Sequence, residues 1–184
     1  MDFSAKQTSV IRGVIPAAVL SVIGMCAVPL LLPVNARPAD EPAARLAWAL
    51  PWTLAPLLML MISIMRVANH RFASPEDIDG SGLTVGSARV LVLRAILQNT
   101  LEQAVLAVVA YLIWSFTMPL NWLRVIPAAA LLFAVGRILF MRGYERGAGG
   151  RAAGFGLTAY PSFGMLVTLA AVLIIRLIGW FMSS

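Results

Sequence analysis

The chain has 184 residues, of which 60% are apolar and only 12% charged, with a formal net charge of +6. A soluble domain carries about 25% charged residues, so this composition, with a mean hydropathy of +0.88, leaves too little polar surface to solvate a globule. The positive charge comes from thirteen Arg and one Lys placed at the ends of apolar runs, which speaks for a membrane rather than nucleic acid as the partner.

Five apolar runs follow one another, each near the roughly 20 residues that cross a bilayer. The first, Val14 to Val34, contains Pro16, Pro29 and Pro33 and follows Lys6 and Arg12. Its end, Val34-Asn35-Ala36, also resembles the cleavage site of a signal peptide, but the run is long for one, which favours a retained helix. Cys26 lies within it and has no second cysteine or metal-ligand spacing, so a packing role is expected. A short connection with Pro38 and Pro42 leads to the second run, Leu46 to Met65. Next comes a longer polar connection, Arg66 to Arg89, which holds Ser74-Pro75-Glu76-Asp77 and the Gly80/Gly82 pair. The third run is Val90 to Trp114, and a tight turn at Pro119 joins it to the fourth, Trp122 to Met141. A Gly- and Arg-rich connection, Arg142 to Gly156, precedes the fifth, Thr158 to Met182.

In hydrocarbon every backbone N–H must be bonded within its own segment, so the runs are predicted to be helices. The alternation of a membrane barrel is absent. The fold class is therefore all-α, an integral membrane bundle of four or five helices. With five passes, Lys6, Arg12, Arg66, Arg71, Arg89, Arg142, Arg146 and Arg151 share one side, and Arg37, Arg45 and Arg124 the other. The excess of Lys and Arg makes the first side cytoplasmic.

Arg94, Glu102 and Arg137 are ionisable groups in or beside apolar runs. Each costs about 2.5–3.5 kcal/mol at a helix centre, so such groups face the bundle interior and pair there. Arg94, Gln98 and Glu102 share one helical face, with Asn99 and Gln103 alongside; Arg137 and Tyr144 share another. Two readings follow: a structural Glu–Arg pair that fixes helix register, or a site for a polar, charged ligand. Other features carry less. His70 reads as a solvated interfacial residue, and without a second His or a Cys no zinc site is expected. Arg176 is expected to reach the interface. Ser81, Ser87 and Ser162 lack His/Asp company for a hydrolase triad. Gly80-Ser81-Gly82 is too short for a phosphate loop, and Met59, Met61 and Met65 read as packing.

Taken in order, these segments resemble the MAPEG family, the membrane-associated proteins of eicosanoid and glutathione metabolism. Arg66 followed by Phe72-Ala73-Ser74-Pro75-Glu76-Asp77 is similar to the family's Arg and Phe-Ala-Asn-Pro-Glu-Asp. Asn99-Thr100-Leu101-Glu102 matches its Asn-x-x-Glu, and Arg137 through Tyr144 resembles its Arg-x-x-(Tyr/His)-x-x-x-Tyr. Arg151, seven residues after Tyr144, falls where leukotriene-synthase-like members carry a catalytic arginine. The resemblance covers roughly residues 46 to 182. Departures are Ala95 where the family has Arg (Arg94 is one residue away), Phe140 for the Tyr or His, and Val105 for a Pro.

The resemblance implies a four-helix core over residues 46–184, with residues 1–45 an additional N-terminal helix and loop. It implies a homotrimer that binds glutathione between protomers near the cytoplasmic face of a bacterial inner membrane. Carried over, the glutathione contacts are Arg66, Arg94, Asn99, Glu102, Arg137 and Tyr144, and Arg151 activates the thiol. The implied activity is a glutathione-dependent transferase or peroxidase acting on lipophilic electrophiles that arrive through the lipid, with no metal. The competing readings are a non-catalytic membrane protein on the same fold and a small transporter component.

Overall fold

The structure is a computed structural model that describes residues 3–31, 38–80 and 83–183 and, of residues 28 and 29, the backbone alone. Val34-Asn35-Ala36, Arg37, Ser81 and Gly82 lie outside the described residues. Among the described residues the chain forms six α-helices: α1 (Phe3–Leu31), α2 (Pro42–Ala49), α3 (Leu54–Ala73), α4 (Ala88–Thr117), α5 (Val125–Gly143) and α6 (Gly147–Ser183). Short 3-10 turns link α2 to α3, α4 to α5 and α5 to α6. Four stretches are long and apolar enough to cross a membrane: Phe3–Ala27, Pro42–Ala73, Ala88–Thr117 and Leu120–Ser183. The last folds back on itself as α5 and α6, so the bundle has five long helical arms.

Close contacts fix the directions. A methyl group added at Gly136 of α5 would lie 2.9 Å from the Gly154 carbonyl of α6, and one at Gly143 would collide with the Gly150 carbonyl. Position 136 therefore faces 154 and 143 faces 150, which makes α5 and α6 an antiparallel hairpin. On α1, Gly13 meets Ala152 and Ala17 meets Gly156, with added methyl groups at 2.9 and 2.7 Å, so α1 and α6 run parallel. Parallel first and last helices are what five alternating passes require. Ser9, Gly13, Ala17 and Ser21, four apart, let the α1 backbone approach Gly149 and Gly156, the close packing of small residues that holds membrane helices together.

The core is built from small residues on α4 (Ala104, Ala107, Ala110) against Ile126, Ala129, Ala130 and Phe133 of α5 and Met165 and Leu169 of α6. At one end of the bundle, Arg45 Nη1 donates to the Ser115 carbonyl at 3.2 Å, and Arg176 Nη2 donates to the Thr117 carbonyl at 2.8 Å. Both cations sit on the orphan carbonyls that end α4.

Two connections are shorter than the sequence suggests. α3 continues to Ala73, so Arg66 and His70 lie on a helix and not in a loop. The Gly/Arg-rich stretch after Arg142 is also helical, apart from one 3-10 turn at Tyr144–Arg146. Gly147 (φ +80°) adopts a conformation few other residues tolerate, and α6 begins there. Glycine disfavours helix, but here the missing side chains at Gly150 and Gly154 admit the α5 backbone, and that packing outweighs propensity. At 37 residues α6 is about 55 Å long, well beyond a hydrocarbon core of about 30 Å, so its first turns stand in the interface.

Candidate functional site

Arg137 is the centre of the site and is 0% exposed. Its Nη1 donates to Asn99 Oδ1 at 2.9 Å and to Thr100 Oγ1 at 3.4 Å, and its Nη2 donates to Thr158 Oγ1 at 2.7 Å. Three helices thus meet on one guanidinium, and every acceptor is neutral. Nε has no partner. The plane of the group lies against two rings, 4.2 Å from Phe140 and 6.0 Å from Phe133. Dispersed charge and weak hydration suit Arg to such an enclosure.

From there a ladder runs along α5 toward the Gly-rich end. Phe140 packs edge-on to Tyr144 at 5.4 Å, and the Arg151 guanidinium lies 4.4 Å from the Tyr144 ring. Positions 133, 137, 140 and 144 fall on one face of α5, and Arg151 comes from the second turn of α6. Phe140 lacks the hydroxyl or imidazole expected there, yet its ring fits between a buried cation and the next ring, which is a role a phenyl group fills. Tyr144 and Arg151 are half-buried, and among the described residues Arg151 has no carboxylate partner.

The inward polar stripe expected on α4 is not formed. Arg94, Gln98 and Glu102 do share a face, but that face is exposed on the protomer, and Gln98 Nε2 donates to Glu102 Oε1 at 3.0 Å. Glu102 and Arg137 therefore turn to different neighbours and share no ion pair or hollow. The reason is rotational: the Ala104/Ala107/Ala110 face is buried in the core shared with α5 and α6, and it carries Thr100 and Gln103 inside with it. Asn99, half-buried between the two faces, is the link from Arg137 to the exterior. Arg66 is half-buried on α3 beside Val67, which packs on Val90 and Leu93. Arg66 and Arg94 form no ion pair.

His70 is a correction too. It is not freely solvated; its Nε2–H donates to Asp77 Oδ2 at 3.0 Å. Asp77, 1% exposed, also accepts from Ser87 Oγ at 2.6 Å, the Ser87 amide at 2.8 Å and Ser74 Oγ at 3.2 Å. Ser87 caps α4 by accepting from the Val90 amide at 3.1 Å. The hydrogen bond from the Ser87 hydroxyl is the largest cause that holds the Asp77 carboxyl at about 2; burial opposes it, and the Ser87 amide, Ser74 and His70 reinforce it. This knot fixes the α3–α4 connection beside Arg94. The acceptors Thr100 and Thr158 were not legible as site residues in the sequence. Ser87 was, in principle, since a serine just ahead of an apolar run is a helix-start signal.

An apolar hollow of about 240 Å³ lies between α1 and α6 around Met25, Tyr160, Pro161 and Met165. Cys26 lines it and is exposed on the protomer. Met165 is 14 residues along α6 from Arg151, about 21 Å, so this hollow does not serve the ladder. Among the described residues no group of His, Cys, Asp and Glu could hold a metal ion.

These features define a polytopic helical membrane protein whose polar groups cluster on α4, α5 and the start of α6. The family model of the MAPEG family matches residues 38–171, which take in α2 to α5 and most of α6, and the chain belongs to that family. No curated protein and no solved structure matches it.

Proposed function

We propose that this chain is a glutathione-dependent transferase or peroxidase acting on lipophilic electrophiles. The observation that carries the reading is the Arg151 guanidinium, held over the Tyr144 ring at 4.4 Å and bonded to no carboxylate. A thiol near neutral pH is mostly protonated, and an uncommitted cation favours the thiolate, which is the nucleophile. The remaining groups match the rest of the ligand. Arg66 and Arg94 are forks suited to its two carboxylates, and Glu102, bonded only to Gln98, suits its ammonium. Arg137 does not open on a hollow; its part is to position Asn99.

One protomer does not enclose these groups. An exposed carboxylate about 21 Å along α4 stands deep in hydrocarbon, where it must be covered. This supports a homo-oligomer, a trimer by family likeness, with the ligand between copies. The end that carries Lys6, Arg12, Arg66, Arg71, Arg89, Arg142, Arg146 and Arg151 is the cytoplasmic one, by charge. The inner membrane of a bacterium is its proposed location. The close packing of α1 on α6 supports a retained first helix.

The test is titration of glutathione into the native oligomer in detergent, read by thiolate absorbance near neutral pH. Saturable binding with a thiolate signal that Arg151→Ala removes is the expected result. Absence of binding at millimolar glutathione overturns the proposal. It would favour the second reading, a non-catalytic member of the family, which the enclosure of Arg137 supports.

A further inference from the structure

The start of α1 and the α5–α6 turn enclose a hollow of about 490 Å³, lined by Lys6, Ser9, Arg12, Arg146 and the glycines of the turn. Three cations from segments some 140 residues apart in the chain converge on it. Among the described residues none of the three has a carboxylate partner and no acidic residue lines the space. Glu145, next to Arg146 in the chain, is bonded to Arg89. Ser9 adds a hydroxyl, which donates to the Lys6 carbonyl at 2.9 Å. The turn contributes Gly147, Ala148, Gly149 and Gly150, so the floor has almost no side-chain bulk.

Like charges repel, and three gathered around one cavity without a counter-ion are stable together only when an anion or water screens them. Surface cations that merely mark the cytoplasmic side have no reason to converge on a common space. This hollow is also separate from the proposed glutathione site. Arg151 points to the α5 side of α6, at the Tyr144 ring, whereas Gly149 and Ala152 face α1. The hollow exists only because α1 is present, and α1 lies outside the residues that match the family.

We propose that Lys6, Arg12 and Arg146 form a binding site for a phosphate group, held between α1 and the α5–α6 turn at the membrane face. Arg presents paired donors to phosphate oxygens, and Lys adds a point charge. The phosphate can come from an anionic lipid headgroup or from a soluble phosphate. The location favours the lipid, because Lys6 and Arg12 lie on a helix long and apolar enough to cross a membrane. Bound there, the headgroup ties α1 to the hairpin. The proposal goes beyond the glutathione reading and does not depend on it.

The test uses the full chain in nanodiscs of phosphatidylcholine with a rising fraction of phosphatidylglycerol, and native mass spectrometry to count phosphatidylglycerol retained per protomer. One saturable site per protomer is expected. Arg12→Gln and Arg146→Gln should each weaken it about fivefold, the worth of one cation near an anionic surface. Arg142→Gln, which removes an exposed charge at the same end but outside the hollow, should leave it unchanged. A parallel arm adds inorganic phosphate to protein in phosphatidylcholine alone. Binding in that arm assigns the site to soluble phosphate, and binding only in the first assigns it to the headgroup. Retention that does not saturate, or that falls equally in Arg12→Gln and Arg142→Gln, overturns the proposal in favour of diffuse surface charge. Unchanged thermal midpoint and oligomer mass in the single variants separate loss of binding from loss of fold.

Discussion

Replacing Thr158 by Val tests whether Arg137 is a charge held at a cost. The substitution keeps shape and removes one acceptor, the hydroxyl 2.7 Å from Arg137 Nη2. Hydrogen bonds to charged groups contribute about 1.5–3 kcal/mol. Between membrane helices measured values are lower, on average about 0.6 and at most about 1.7 kcal/mol, because the unfolded state also finds partners. Arg137 is fully enclosed and already leaves Nε unpartnered, so the loss belongs at the upper end. About 2 kcal/mol is expected, roughly a thirtyfold fall in the folded-to-unfolded ratio. Arg137→Met removes the charge itself. Its buried neighbours include Phe133 and Phe140, which accept an apolar chain, and half-buried Asn99 can turn outward. Deleting a buried charge together with its desolvation cost is often near neutral, so Arg137→Met should cost less than Thr158→Val while weakening glutathione binding through a misplaced Asn99. The assay is unfolding by SDS in mixed micelles, followed by far-UV circular dichroism, with glutathione titrations on the same samples. If Arg137→Met is much the more destabilising of the two, the guanidinium is net glue and the reasoning fails.

Arg151→Ala should lower kcat by at least about tenfold, the change in thiolate fraction for one pKa unit, with a smaller effect on glutathione affinity; equal losses in steady-state kinetics would argue against an activating role. Glu102→Gln should weaken glutathione binding while leaving insertion intact; loss of the oligomer by analytical ultracentrifugation would instead make Glu102 an assembly residue. The Asp77 carboxyl is depressed to about 2 from an ordinary 3.8, so the stability it lends is present above about pH 4 and is lost as pH falls toward 2. Hydrogen exchange across residues 74–87 should therefore rise over that window, and Asp77→Asn should exchange fast at every pH. Gly143→Leu places a side chain against the Gly150 backbone and should cost at least about 3 kcal/mol, the upper range for overpacking, seen as lost expression or a lowered thermal midpoint.

The all-helical class and the long apolar segments were legible in the sequence. A bilayer reads hydropathy along one dimension, and the runs around residues 14–34, 46–65, 90–114, 122–141 and 158–182 met that requirement before any packing was known. Candidate polar residues could also be picked out, since charged groups in oil are few. Their arrangement could not. Spacing placed Arg94, Gln98 and Glu102 on one helical face, but not the direction in which that face turns. The rotation of α4 is set by the alanines that bury in the shared core, and it sends the stripe outward and brings Thr100 to Arg137. The helical start of α6 at Gly147 was hidden for the same kind of reason. Glycine alone predicts a loop, and only the α5 backbone lying against Gly150 and Gly154 makes the absence of a side chain favour a helix.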